Sequence, residues 1–235
     1  MKENIFPKNE DLRELEEFFD EERLEKGRAA IADYNTLMAY FRCAIMEIET
    51  KLNVLNEEFS LRFDRNPISS IKSRLKKPVS IKEKCERKGI PFSLEDIERE
   101  IHDIAGVRVV CSFERDVYRI AEALLSQDDI ELIERRDYIK NPKKNGYRSL
   151  HLILTVPIFL AHEKRIMKVE VQLRTIAMDF WASLEHQLYY KKDFSFTEDM
   201  RRELVDCAEL SSRLDRRMDE LRRLVAENSS EKDDF

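Results

Sequence analysis

The chain has 235 residues, 42% of them hydrophobic and 38% charged, with a net charge of −6; that is length for one good core with helical extensions, and more charge than the roughly 25% usual in globular chains. The acidic balance argues against a general polyanion binder, and the four scattered cysteines (Cys43, Cys85, Cys111, Cys207) form no CxxC pair, which excludes a zinc ribbon or a thioredoxin-like redox pair. MKENIFPKNEDLRELEEFF carries no apolar signal segment and no window approaches 18 uninterrupted apolar residues, so the expectation is a cytoplasmic protein with reduced thiols and no membrane span.

In chain order, residues 10 to about 60 read as helix, first the short acidic LRELEEFFDEERLEK and then RAAIADYNTLMAYFRCAIMEIETKLNVLNEEF with apolar residues three and four apart. Residues 77–101 give two more helical runs, broken at Gly89-Ile90-Pro91, where Gly can close a helix and Pro cannot continue it. AGVRVVCSF alternates as a strand, and ERDVYRIAEALLSQ returns to helix. IELIERRDYI, RSLHLILTVPI and RIMKVEVQL read as three further strands, and RTIAMDFWASLEHQLYYK as a helix. From Thr197 to about Glu227 a long helix carries Leu204, Ser211, Met218 and Val225 at one heptad position and Cys207, Leu214 and Leu221 at another, a pattern for helix packing or oligomerisation. The expected organisation is N-terminal helices over 1–60, a core over 61–195, and a C-terminal helix with a polar tail over 196–235, all in one structural unit.

Local charge departs from the acidic total. Between Lys72 and Lys88 stand eight basic residues against Glu83 and Glu86, and between Arg135 and Arg148 six against Asp137 alone. Two concentrated basic segments in an acidic protein point to a focused anion pocket such as a nucleotide polyphosphate site. In the second segment, NPKKNGYRSLHLIL places one of only four glycines between two lysines and a tyrosine at the mouth of a strand. Gly146 permits a turn, Lys143 and Lys144 attract phosphate, and Tyr147 offers a ring to a purine.

Strand parity locates a polar face. Successive side chains alternate, so RIMKVEVQLRT puts Met167, Val169, Val171 and Leu173 inward and Lys168, Glu170, Gln172 and Arg174 outward. The same rule turns Leu150, Leu152 and Leu154 inward with Tyr147, Ser149 and His151 outward, and Val107, Val109, Cys111 and Phe113 inward with Arg108 outward. A wet sheet face is the ordinary reading, but Arg108, Tyr147, His151, Glu170 and Gln172 together, beside Gly106 and Gly146 where a ligand could approach closely, indicate a binding surface. Asp103 and Glu170 would form a divalent-metal pair if their strands are neighbours, and so sparse a carboxylate supply suits a nucleotide-bound Mg²⁺. His102-Asp103 spells the HD of metal phosphohydrolases, but no helical ligand spacing joins it to His151, His162 or His186, and His162 reads as a surface residue.

SRLKKPVSIKEKCERKGIP, HDIAGVRVVCSF, RDYIKNPKKNGYRSLHLIL and VEVQLRTIAMDFWASLEHQLYYK together resemble the RelA/SpoT-homologue synthetase domain, most closely its small alarmone synthetase form and the RelP-like branch, over roughly residues 60–225. The family's separate hydrolase and C-terminal regulatory domains have no counterpart in these motifs. The resemblance implies an α+β fold with a mixed five-stranded sheet flanked by helices, nucleotidyltransferase-like, and a homotetramer. It implies a GTP pyrophosphokinase with Mg²⁺ as cofactor, moving the β,γ-pyrophosphate of ATP to the 3′ oxygen of GDP or GTP to give AMP and the alarmones ppGpp or pppGpp.

By motif position, Arg74 and Arg108 would sandwich adenine, and Lys76, Ser80 and Lys84 would hold ATP phosphates. Asp103 and Glu170 would bind the metal, with Glu170 also taking the 3′ proton. Tyr147 would stack on guanine, with Lys143, Asn145, His151 and Gln172 around the acceptor. Glu185 and His186 read as structural support. Asp179 and Ser70 depart from another branch, which carries Asn and an aromatic there in an allosteric product site, so product activation is not carried over. The rival readings are an RNA-binding module stacking on Tyr147 and a nucleotidyltransferase with another acceptor; the carboxylate pair and the −6 charge count against the first, with RNA left open as a regulator.

Overall fold

A computed structural model describes residues 21–63, 65–189 and 197–230, so the first part of the acidic helix expected from residue 10 lies outside the described residues. From Glu21 to Phe63 the chain forms one continuous 43-residue helix, α1. Gly27 does not interrupt it. A single helical Gly costs about 1 kcal/mol relative to Ala, which is small beside the burial of Phe41, Ile48 and Leu52, each at most 1% exposed, at about 1.5–3 kcal/mol apiece.

The remaining elements follow as β1 (Ile68–Leu75), α2 (Pro78–Lys88), α3 (Leu94–Glu100), β2 (Ala105–Cys111), α4 (Glu114–Leu125), β3 (Glu131–Asp137), β4 (Leu150–Phe159), β5 (Lys164–Thr175), α5 (Ile176–Tyr189) and α6 (Glu198–Ser230). The punctuation between α2 and α3 is as the sequence predicts. Pro78 opens α2, Gly89 closes it in the left-handed region at φ 65°, and its N–H returns to the last-turn carbonyls. Ser93 then caps α3, its hydroxyl accepting from the Asp96 N–H.

The five strands form one mixed sheet in the order β1-β2-β5-β4-β3, with β2 and β5 parallel and the other pairs antiparallel. Four strands were legible as alternating segments; β1 was not. ISSIKSRL is an edge strand whose pattern is broken by a register shift between Ile68 and Ser70, so it shows no clean period of two.

One face of the sheet is the core. Val107, Val109, Val171, Leu173, Leu150, Leu152 and Leu154 are buried there against α1 and α4, in a single cluster that also takes in Ile81, Cys85 and Ile97 from α2 and α3. The other face is covered at one end by α5 and α6, whose own small cluster of Trp181, Ala182 and Ala208 takes in Tyr147 and Leu204. Two expectations are corrected here. Ser149 and His151 lie on the predicted side, but both are buried rather than wet. Phe113 is not a core strand residue, because β2 ends at Cys111 and Phe113 becomes the N-cap of α4, its ring flanked by the guanidinium groups of Arg65 and Arg222 at 5.4 and 5.1 Å. Among the described residues no helix is long and apolar enough to cross a membrane.

Candidate active site

The register explains why the polar residues converge. Residues directly opposite each other across a strand pair share a face, and Arg74 stands opposite Gly106, Gly106 opposite Glu170, Arg108 opposite Gln172 and Gln172 opposite His151. The expectation that the strands of Asp103 and Glu170 are neighbours therefore holds: β2 lies beside β5, and Asp103 is three residues before Gly106. A cleft of about 130 Å³ opens between them, lined by Arg74, Asp103, Arg108, Glu170 and Gln172, with Lys72 and Ser73 added from β1. Hollows of about 720 and 710 Å³ between the helices are larger, but neither is lined by this carboxylate pair, so size does not locate the chemistry.

Asp103 is held by two lysines. Lys76 donates to Oδ2 at 2.9 Å, and the Lys84 ammonium lies 2.7 Å from Oδ1. Both carboxylate oxygens are thus engaged, each by its own ammonium. Burial pushes the carboxyl upward, but the hydrogen bonds and charges of Lys76 and Lys84 together hold it below the usual carboxylate range.

Glu170 sits in a closed ring of hydrogen bonds. His151 Nδ1 lies 3.1 Å from Oε1, and Gln172 donates to Oε2 at 2.8 Å. His151 Nε2 is 2.8 Å from the Tyr147 hydroxyl. Arg174 completes the circuit, donating from Nη2 to the Tyr147 hydroxyl at 2.6 Å and to Gln172 Oε1 at 3.0 Å. Burial raises the Glu170 carboxyl and so does the charge of Asp103, yet His151 and Gln172 outweigh them and hold it below its ordinary value. Glu170 is thus an ionised, fixed carboxylate with an acceptor oxygen on each arm of the ring.

The loop of residues 138–149 lies at the other side of this ring. Gly146 has φ 89°, a conformation side chains rarely adopt. A Cβ built there would lie 2.5 Å from the Ala208 methyl, so the close approach that Gly146 permits is that of helix α6, not the ligand contact the sequence pointed to. At Gly106 a Cβ would meet only ordinary contacts with Arg74 at 3.8 Å. Asn145 donates to Glu185 at 3.1 Å and accepts from the Tyr147 N–H at 3.3 Å, which gives Glu185 the supporting place expected of it. The Lys143 ammonium rests 4.8 Å from the Tyr147 ring and 4.6 Å from that of Tyr138.

Of the residues singled out in the sequence, Arg74, Asp103, Arg108, Glu170 and Gln172 line one cleft, Lys76 and Lys84 meet on Asp103, and Lys143, Asn145, Tyr147 and His151 join through the loop and ring. Ser80, in the first turn of α2, is not in the cleft lining; it stands one turn ahead of Lys84 on the same helix. His162 is exposed, as expected. Sequence reasoning gave no place in the site to Arg174, which it put on the outward face, to Asp179, which it noted only as a departure from another branch, or to Tyr138. Arg174 shares the parity of Glu170 and Gln172 and could have been included on that signal. Its side chain is only 5% exposed, and its counterion is Asp179 on α5, at 3.3 Å.

A family model described as "Region found in RelA / SpoT proteins" matches residues 73–195. The chain is 40% identical to the GTP pyrophosphokinase YwaC of Bacillus subtilis over 191 residues, covering 81% of this chain and 91% of that protein. It is 38% identical to the GTP pyrophosphokinase YjbM of the same organism, over 80% and 87% of the two chains. Among solved structures, small alarmone synthetase 1 from Bacillus subtilis bound to its product pppGpp superposes with a TM-score of 0.75 at 36% identity, covering 82% of this chain and 98% of that one. Small alarmone synthetase 2 from the same organism gives 0.74 at 40% identity, covering 81% and 98%.

Proposed function

The chain belongs to the RelA/SpoT family, and from that premise and the geometry of the site we infer that it is a GTP pyrophosphokinase, transferring the β,γ-pyrophosphate of ATP to the 3′ hydroxyl of GDP or GTP to make AMP and ppGpp or pppGpp. The observation that carries the assignment of roles is the meeting of Asp103 and Glu170 in one cleft, between two arginines on one side and Tyr147 on the other. Arg74 and Arg108 are diagonal neighbours on the same sheet face and take the adenine between them. Lys76 and Lys84 serve the ATP phosphates, and Ser80 adds a hydroxyl at the N-terminus of α2, an end suited to anions. Tyr147 stacks on guanine, with Lys143, Asn145, His151 and Gln172 around the acceptor.

Attack by the 3′ oxygen on the β phosphorus forms the new ester bond and breaks the bond to the oxygen bridging to the α phosphorus, which leaves on AMP. The 3′ proton passes to Glu170, which His151 and Gln172 fix at two points in the proton-free form that a base requires. Little covalent chemistry falls to the protein, and positioning with charge neutralisation carries most of the rate. The carboxylate pair fits Mg²⁺: two carboxylates lining one cleft match an ion that takes one or two carboxylates and completes its shell with phosphate oxygens, and phosphates entering the cleft offer Lys76 and Lys84 other anions in place of Asp103. Held by Asp103 and Glu170, the ion would neutralise charge on the transferring phosphate. An RNA-binding module gives this pair no task, since two carboxylates in the cleft repel phosphate.

Glu170→Gln tests the reading. It keeps size and hydrogen-bonding capacity but removes the base, worth about 10² to 10⁴ in rate, and one metal charge. AMP formation from ATP and GDP should nearly vanish in a folded protein, and a near-unmodified rate would remove Glu170 from the chemistry. Asp103→Asn should also be crippled, with partial recovery at raised Mg²⁺ or with Mn²⁺.

The protein works as a homotetramer in this reading. Leu214 and Leu221, at one heptad position, are 60% and 54% exposed, and with Phe180, Leu210 and Met218 they leave an apolar face on α5 and α6 of the kind that marks an interface. Charged residues at Leu214 and Leu221 should dissociate the assembly in light scattering, and an unmodified chain that scatters as a monomer would remove the idea.

A further inference from the structure

Besides Glu170, a second carboxylate stands between the two nucleotide subsites. Asp179 Oδ1 accepts from Arg108 Nη1 and from Arg174 Nη1, each at 3.3 Å. Arg108 lines the donor cleft. Arg174 is the residue on which both arms of the Glu170 ring converge, one through Gln172 and the other through Tyr147 and His151. Asp179 is therefore a shared counterion of the donor-side Arg108 and the acceptor-side Arg174, and its own side chain is 13% exposed.

We propose that Asp179 is a positioning residue that couples occupation of the ATP subsite to the order of the acceptor subsite and its base. The proposal rests on the nucleotide assignments above. Arg108 meets Asp179 through one terminal nitrogen, so the flat faces of its guanidinium remain for a base. An adenine seated there fixes Arg108, which fixes the shared oxygen of Asp179. The fixed carboxylate holds Arg174, and Arg174 holds Tyr147 for guanine and Gln172 against Glu170. Each nucleotide then meets a site whose ordering cost the other has already met, which is positive coupling, and it acts equally in both directions. Without the Asp179 charge, two guanidinium groups that already repel one another are left facing with no common partner, and Arg174 is released from a nearly buried position.

Calorimetry on the full chain reads the coupling directly. The α,β-methylene analogue of ATP is titrated with Mg²⁺, with and without saturating GDP, and the ratio of the two Kd values is the coupling factor. The unmodified protein should give a factor of about 5 or more. Asp179→Asn should bring it to within about twofold of 1, and Asp179→Glu, which keeps the charge, should retain part of it. A folded Asp179→Asn protein with an unmodified factor, or a factor of 1 in the unmodified chain, overturns the inference. Arg174→Lys provides a test independent of Asp179→Asn folding: it keeps charge against Asp179 but cannot fork to Tyr147 and Gln172. It should bind the ATP analogue as the unmodified protein does and bind GDP about tenfold more weakly, on the scale of one charge-assisted hydrogen bond; the opposite pattern overturns the proposal. Failure of the functional reading looks different, since an unmodified chain that forms no AMP from ATP and GDP removes that reading itself, whereas AMP formation with a coupling factor indifferent to Asp179→Asn removes only the coupling.

Discussion

Replacing Gly146 by Ala tests whether helix α6 sets the loop of residues 138–149, which we propose receives the guanine nucleotide. The added methyl would stand 2.5 Å from the Ala208 Cβ, where carbon atoms prefer roughly 3.5–4.0 Å, so the loop or the helix must retreat by about 1 to 1.5 Å. The backbone adds its own penalty, because φ 89° costs a residue with a Cβ about 1–2 kcal/mol. Overpacking adds about 1–3 kcal/mol, for a total loss of about 2–5 kcal/mol by thermal or urea unfolding. Tyr147 follows Gly146 directly, and a displacement of about 1 Å at a positioned group can cost about 10²-fold in rate. The GDP KM should rise and kcat fall while the ATP KM changes little. Ala208→Gly in the same chain removes the opposing methyl and should recover the packing share but not the backbone share. A Gly146→Ala protein with unmodified stability and unmodified GDP kinetics would refute the role of α6, as would a double variant no better than the single one.

Two further outcomes are expected. Tyr147→Ala should lose about 1–3 kcal/mol of base stacking, roughly 5- to 150-fold, mainly in the use of the guanine nucleotide, and Tyr147→Phe should keep the stacking but lower kcat by cutting the ring between His151 and Arg174; equal losses in ATP and GDP binding for Tyr147→Ala would count against stacking. Asp215 on α6 has its carboxyl raised by burial, assisted by the charges of Glu114 and Asp219; a raised group gives its full stability below the unfolded pKa and loses it as pH rises through the folded one. Asp215→Asn, still able to accept the Thr175 hydroxyl at Oδ, should therefore raise Tm at pH 7.5 and lose that advantage near pH 4, and a pH-independent difference in Tm would show that ionisation is not its origin.

The parts of this molecule that the sequence made legible are those that repeat. Alternation in AGVRVVCSF and RIMKVEVQLRT announced both strands and the side of each that carries Arg108, Glu170 and Gln172, because the side-chain period of a strand is two wherever it pairs. Strand β1 went unread because neither side of ISSIKSRL is uniformly apolar: Ile68, Ser70, Lys72 and Arg74 alternate to one side, and Ser69, Ile71, Ser73 and Leu75 to the other. The burial of His151 and Ser149 was not readable for a different reason: parity assigns a face but does not say what covers it, and here His151 packs against the rings of Tyr138 and Tyr147 and Ser149 against Arg174. Parity placed Arg174 on the right face, but its pairing with Asp179 depends on the angle at which α5 leaves β5, a tertiary fact with no local signature. Gly146 was recognised as a turn residue, yet the neighbour that requires it, Ala208, lies 62 residues away in the chain.

The transfer itself is followed most directly by phosphorus NMR on the unmodified chain incubated with ATP, Mg²⁺ and GDP. AMP should appear in step with a new diphosphate on the 3′ oxygen of the guanine nucleotide, with ATP and GDP consumed one for one and no AMP formed when GDP is left out. ADP as the product of ATP, AMP formed equally well without GDP, or no AMP at all would contradict the account.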